Sequence, residues 1–202
     1  MKKIIQESLN KSFTYKEYRT LVTDLLKQGK STAPEQSEAL LHYSKLNNSR
    51  MKRVDKTFKV SEKAKSQLKN LAGNYIWLVI SEGWCGDAAQ ILPVINKMAD
   101  ASENIDLRIV LRDENEELMN NFLTNGGKSI PKLILLNADT LEVIDTWGPR
   151  PSTATKMVEE QKRKYGVLDD AFKEKLQQWY NADKGMTLEK DLLQLLDVAQ
   201  LA

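Results

Sequence analysis

The chain contains a single cysteine, Cys85, in the run Trp84-Cys85-Gly86-Asp87-Ala88. A β-prone apolar run, Tyr75-Ile76-Trp77-Leu78-Val79-Ile80, precedes it, and Ile91, Ile95 and Met98 follow at helical spacing. This pattern places Cys85 in the first turn of a helix, directly after a buried strand. Unpaired backbone N–H groups and the positive end of the helix dipole favour the thiolate there, and the thiolate is the nucleophile. Asp87 is the second candidate. As a first-turn acid it steadies the helix terminus, and as a proton carrier it could serve Cys85, yet its charge opposes thiolate formation. One cysteine forms neither an internal disulfide nor a cysteine metal cluster, so its sulfur chemistry must involve another molecule.

The elements that position this turn are read from periodicity. Ile105 to Leu111 predicts a second strand, Glu114 to Leu123 a helix, and Leu133 to Leu136 with Leu141 to Trp147 a strand pair joined through Asn137-Ala138-Asp139-Thr140. Strand, helix, strand implies a parallel unit, and the hairpin makes the sheet mixed. Upstream, Thr14-Tyr15-Lys16-Glu17 has capping-box form for a helix running to Gly29. Thr32 and Pro34 suit the start of another helix, broken at Asn47-Asn48-Ser49. Helix is then expected over Met51 to Phe58 and again after Ser61. Downstream, Ser152 or Thr153 can cap a helix ending before Gly166, and two amphipathic helices follow, the last capped by Thr187.

Composition narrows the function classes. The formal charge of +2 is far from that of a dedicated nucleic-acid binder, and the cluster Arg50, Lys52, Arg53, Lys56 and Lys59 reads as a solvated helix face. No apolar run approaches the roughly 20 residues of a membrane span, and polar residues interrupt Met1 to Ser8 before a signal-peptide core develops. A cytoplasmic location is therefore expected. His42 stands alone without ligand-type neighbours, so no metal or other cofactor is called for.

Trp84-Cys85-Gly86-Asp87-Ala88, with Pro93 eight residues after the cysteine, resembles the thioredoxin motif W-C-G-P-C and its helix-kinking proline. Ser129-Ile130-Pro131 before a strand is similar to that superfamily's cis-proline loop, and Gly148 stands where its members usually carry a glycine. The W-C-G-D form particularly resembles a bacterial branch of thioredoxin-like proteins. The resemblance covers about residues 70–165 and implies a three-layer α/β/α thioredoxin-like fold around a mixed sheet. An N-terminal helical extension (residues 1–72) would precede the thioredoxin-like domain (73–165), and a C-terminal helical extension (166–202) would pack on it.

Two departures bear on function. Ala88 replaces the resolving cysteine, which removes ordinary dithiol turnover. Val79 replaces the buried acid six residues before the nucleophile. The resemblance then implies a monothiol redox protein with Cys85 and Asp87 as catalytic residues and Trp84, Gly86, Ile130, Pro131 and Trp147 lining the substrate groove. Its partner would be a protein disulfide or thiol, or glutathione. The rival is a redox-silent module that keeps the cis-proline groove to bind protein. A glutathione-dependent transferase fits less well, because helices flank both sides of the core here. The leucines from Leu188 to Leu201 suit docking on the protein's own core or a dimer stripe.

Overall fold

The structure, a computed structural model, describes residues 1–199. Four strands, β1 (Tyr75–Ser81), β2 (Ile105–Leu111), β3 (Lys132–Asn137) and β4 (Val143–Trp147), form one sheet in the order β2-β1-β3-β4. β1 pairs in parallel with β2, from Tyr75 opposite Ile105 to Ser81 opposite Leu111, and antiparallel with β3, from Tyr75 opposite Asn137 to Ile80 opposite Lys132. β4 returns antiparallel on β3 with a bulge between Leu135 and Leu136. Trp77, Leu78, Val79 and Ile80 are all buried, so successive side chains are covered on both faces of the sheet, as a central strand under two helical layers requires.

Helices supply those layers. The capping box of α2 (Tyr15–Lys27) forms as its sequence predicts: the Glu17 N–H donates to Thr14 Oγ1 and the Thr14 N–H to the Glu17 carboxylate. Ahead of it lies α1 (Lys2–Leu9), which the signal-peptide comparison passed over; it buries Ile5 and Ser8 and packs on β2. Phe13, between the two helices, exchanges two backbone hydrogen bonds of 2.8 Å with Ile109 and so occupies part of the outer edge of β2.

The largest correction concerns α3 (Glu38–Thr57). It is one unbroken helix of 20 residues, capped by Ser37, and Asn47-Asn48-Ser49 lies in its middle. Asn47 is 0% exposed and hydrogen-bonds outside the helix, so a tertiary partner removes the competition with the backbone that makes asparagine a helix breaker. Thr32 and Pro34 precede the helix rather than start it. α4 (Glu62–Lys69) is capped by Ser61 as expected. α5 (Ala88–Ala99) follows β1, carries Pro93 inside it, and packs between the sheet and α3. α6 (Glu116–Asn121) is shorter than its pattern predicts, and the strand expected from Leu141 starts at Val143, because Leu141 turns with φ +57.

At the C-terminal end, α7 (Ser152–Tyr165) starts at Ser152 itself. The Asp191 carboxylate, not a local hydroxyl, takes its N–H and Oγ. α8 (Asp170–Asp183) is capped by Asp169. α9 (Met186–Ala199) begins one residue before Thr187, whose N–H donates to Asp183. Leu188, Leu192, Leu195 and Leu196 are buried in the chain's own core, which agrees with intramolecular docking; Leu201 lies outside the described residues. No helix among the described residues is long and apolar enough to cross a membrane.

Gly148 fixes how closely β4 approaches the loop before β3. Its φ is +117, and a Cβ there would overlap the Pro131 carbonyl oxygen. Gly148→Ala is therefore expected to lose more than about 4 kcal/mol of unfolding free energy in urea titrations. Gly126→Ala, at φ +76 with open space around it, should lose about 1–2 kcal/mol, the strain of the left-handed backbone alone.

Candidate functional site

Cys85 lies where strand β1 hands over to α5. Its N–H donates to the Glu82 carbonyl at 3.2 Å, and its carbonyl accepts from Ala89 at 3.2 Å, so the residue already belongs to the first turn of the helical segment. The sulfur receives the Ala88 N–H at 3.5 Å and directs its own proton to the Ile130 carbonyl at 3.4 Å. The Ile130–Pro131 bond is cis, as the motif resemblance implied, and a second cis bond, Gly148–Pro149, was not anticipated. The Ile130 N–H donates no hydrogen bond among the described residues. Trp147 ends β4 opposite Leu133, two residues past Pro131 on the neighbouring strand. Trp84 is half-buried and one face of its indole is taken by the Arg112 guanidinium, 4.7 Å from the ring centroid, so only part of it can serve as a groove wall.

Side chains from distant parts of the chain hold the turn. Thr32 Oγ1 bonds the Glu82 carboxyl and accepts the Gly83 N–H at 3.0 Å. Asn47 Nδ2 donates to the Gly83 carbonyl at 3.2 Å, and Gln177 Nε2 reaches the Gly86 carbonyl at 3.5 Å. Asp87, 8% exposed, takes the Arg150 guanidinium at 2.7 Å and the Tyr180 hydroxyl at 2.9 Å. It makes no helix-capping bond, which corrects the expectation of a simple first-turn acid: it is a clasp between the motif, the loop after β4 and α8.

These contacts set the protonation of the site. Cys85 is 9% exposed, and burial, then the nearby Asp87 charge, push its thiol up to about 12. The Ala88 N–H and Arg150 act in the opposite direction, so the helix terminus that favours a thiolate is outweighed by desolvation. Burial also raises Asp87 despite Arg150 and Tyr180. Among the described residues, no group of three His, Cys, Asp or Glu is placed to hold a metal ion.

Periodicity missed the partners, because Thr32, Asn47, Arg150, Gln177 and Tyr180 look like ordinary loop or helix residues until the chain brings them together. Glu82, just past the apolar run of β1, is not marked by periodicity either. It is 0% exposed, and burial pushes its carboxyl up to about 7 against the stabilising bonds from Thr32 and the Asp113 N–H at 3.2 Å. With the folded value above the ordinary 4.5, the native state holds a proton that the unfolded chain has already released. Stability should thus fall as pH rises from 4.5 through about 7, by up to about 3 kcal/mol, and level off above. Urea titrations across this range should show the slope in the native sequence and a clearly smaller one in Glu82→Gln, the remainder coming from Asp87, whose carboxyl burial also raises; an unchanged slope in the variant would assign it elsewhere.

Comparison with known proteins agrees with this architecture. A protein of unknown function, PA1234 from Pseudomonas aeruginosa, known from a 1.5 Å crystal structure, is similar at 17% identity and a TM-score of 0.58, over 93% of this chain and 99% of that one. The crystal structure of an HIV epitope-scaffold of the 4E10 series is similar at 16% identity and a TM-score of 0.57, over 92% of this chain and 98% of that one. No curated protein matches. At these identities the likeness speaks for the fold. A family model described as Thioredoxin matches residues 33–164, a span that includes the Trp84-Cys85 turn and the cis-Pro131 loop, and the chain belongs to that thioredoxin family.

Proposed function

We propose that this chain is a monothiol that exchanges with disulfides through Cys85. The Cys85 sulfur attacks one sulfur of a substrate disulfide, a mixed disulfide forms, and the other sulfur leaves as a thiol with the displaced proton. An external thiol, from glutathione or a second protein, then attacks the mixed disulfide and restores Cys85. With a sulfenic acid the same thiol condenses with loss of water. The observation that carries the reading is the placement of the Cys85 sulfur 3.4 Å from the Ile130 carbonyl, beside a cis proline and an unpaired Ile130 N–H where an extended chain can pair.

The raised thiol pKa makes this a slow reagent that depends on recognition. Raising a thiol from 9.0 to about 12 removes about a thousandfold of thiolate at neutral pH. The more basic sulfur is intrinsically more nucleophilic and regains roughly twentyfold, leaving a deficit of roughly fiftyfold. The substrate must supply the rest by binding. The same raised pKa favours the second reading, a redox-silent module that uses the groove for binding; Val79, fully buried, offers no acid to assist proton transfer.

Alkylation of Cys85 by iodoacetamide, followed by intact mass, should run roughly fiftyfold or more below free cysteine at pH 7 and show no plateau below pH 10. Incubation with an excess of disulfide at pH 8 should still load one adduct per chain, and Cys85→Ser should load none. If the native chain forms no mixed disulfide while Cys85→Ser retains partner binding, the binding module is the correct reading. Ala88→Cys supplies a resolving thiol, and under the exchange reading it should gain turnover with a small disulfide.

A further inference from the structure

The motif turn carries more positive charge than its own carboxylate neutralises. Arg50 projects from α3 toward Gly86, its Nη1 3.6 Å from where a Cβ on that glycine would lie. Its one protein partner among the described residues is Asn47 Oδ1, at 2.9 Å. One turn further on, Arg53 Nη2 bonds Gln90 Oε1 at 2.9 Å. Gln90 in turn donates to Gln177, which reaches the Gly86 carbonyl. Asp87 is the nearby carboxylate, and Arg150 and Tyr180 already hold it. Three arginines thus share one carboxylate, and neither Arg50 nor Arg53 has an acidic partner within ion-pair distance among the described residues. Like charges one turn apart cost a few tenths of a kcal/mol in a helix. Burial, then the Arg53 charge, press on Arg50 to give up its proton, and the Asp87 charge opposes them. Arg53 and Gln90 also line a cleft of ≈ 50 Å³ whose wall holds both Lys184 and Asp183, the latter's carboxylate already taken by Thr187.

We infer that Arg50 and Arg53 form a recognition shelf for a carboxylate beside the motif turn at Gly86, so that the substrates of Cys85 are acidic disulfides. The inference rests on the monothiol reading and specifies its substrate class. A carboxylate docked on Arg50 lies beside Gly86, next in the chain to the nucleophile, and aligns a disulfide for a thiol too weakly ionised to select by speed. No covalent step is added: the exchange remains Cys85 thiol plus disulfide giving mixed disulfide plus thiol. The solvated face assigned to this basic segment from sequence holds for Lys52, Arg53, Lys56 and Lys59, which are exposed, but Arg50 is half-buried against the motif.

The test compares exchange rates with a dianionic probe, 5,5′-dithiobis(2-nitrobenzoate), and a neutral one, 2,2′-dithiodipyridine. Arg50→Gln and Arg53→Gln are expected to slow the anionic probe by about fivefold or more and leave the neutral probe within twofold. Arg50→Lys should keep most of the preference, and 0.5 M NaCl should reduce it in the native chain. Equal slowing of both probes would mean that Arg50 tunes the thiol and would overturn the inference while leaving monothiol exchange standing. Reaction of neither probe with the native chain would remove the monothiol reading, and this inference with it. Oxidised glutathione and a disulfide peptide flanked by glutamates, run in the same assay, separate a low-mass source of the carboxylate from a protein one. A native-to-Arg50→Gln ratio near one for both would overturn the inference.

Discussion

The backbone between Ser81 and Ala88 is only partly satisfied by the helical bonds at Cys85 and Asp87, and a buried carbonyl or N–H without a partner costs about 1–3 kcal/mol. Thr32, Asn47 and Gln177 answer that need at Gly83 and Gly86, while Tyr180 and Arg150 fix Asp87. The rest of the architecture follows from it. α3 must run unbroken to present Asn47, α8 must lie across the start of α5 to present Gln177 and Tyr180, and β4 must end close to Pro131 so that its following loop can deliver Arg150.

The same enclosure governs the chemistry. A thiol at a helix start gains from the N–H groups and dipole there, but those gains are of the order of 1 kcal/mol, and desolvating a charge costs several. Covering the turn with helices at both ends of the chain moves the balance from activation to restraint. Asp87 adds to that restraint through its own charge while it serves as the anchor for α8. Fidelity of the turn's geometry and readiness of its sulfur are thus opposed, and the reactive group depends on what its substrate brings to the site.

How much of this was legible in sequence depends on range. Strand β1, the mixed sheet, the α2 capping box and the cis-proline loop are readable because local patterning or a short motif specifies them. The continuity of α3 was not readable: Asn47-Asn48-Ser49 is a local break signal, and its reversal depends on Gly83, 36 residues away. Asp87 was recognised as important, but its role needed Tyr180 and Arg150, which no periodicity links to it. Glu82 could have drawn notice as a carboxylate joined directly to a continuous apolar strand. The motif resemblance makes Trp84 a lining of the groove, and only the fold brings the Arg112 guanidinium over one face of it.

The tie between Tyr180 and Asp87 joins residues separated by 93 positions. During synthesis at roughly 5–20 residues per second, the motif turn leaves the ribosome about 5–20 s before the helix that covers it. Throughout that interval Asp87 and the Gly86 carbonyl lack the Tyr180 and Gln177 partners that later hold them. The order in which the chain is made therefore completes the clasp on the turn last.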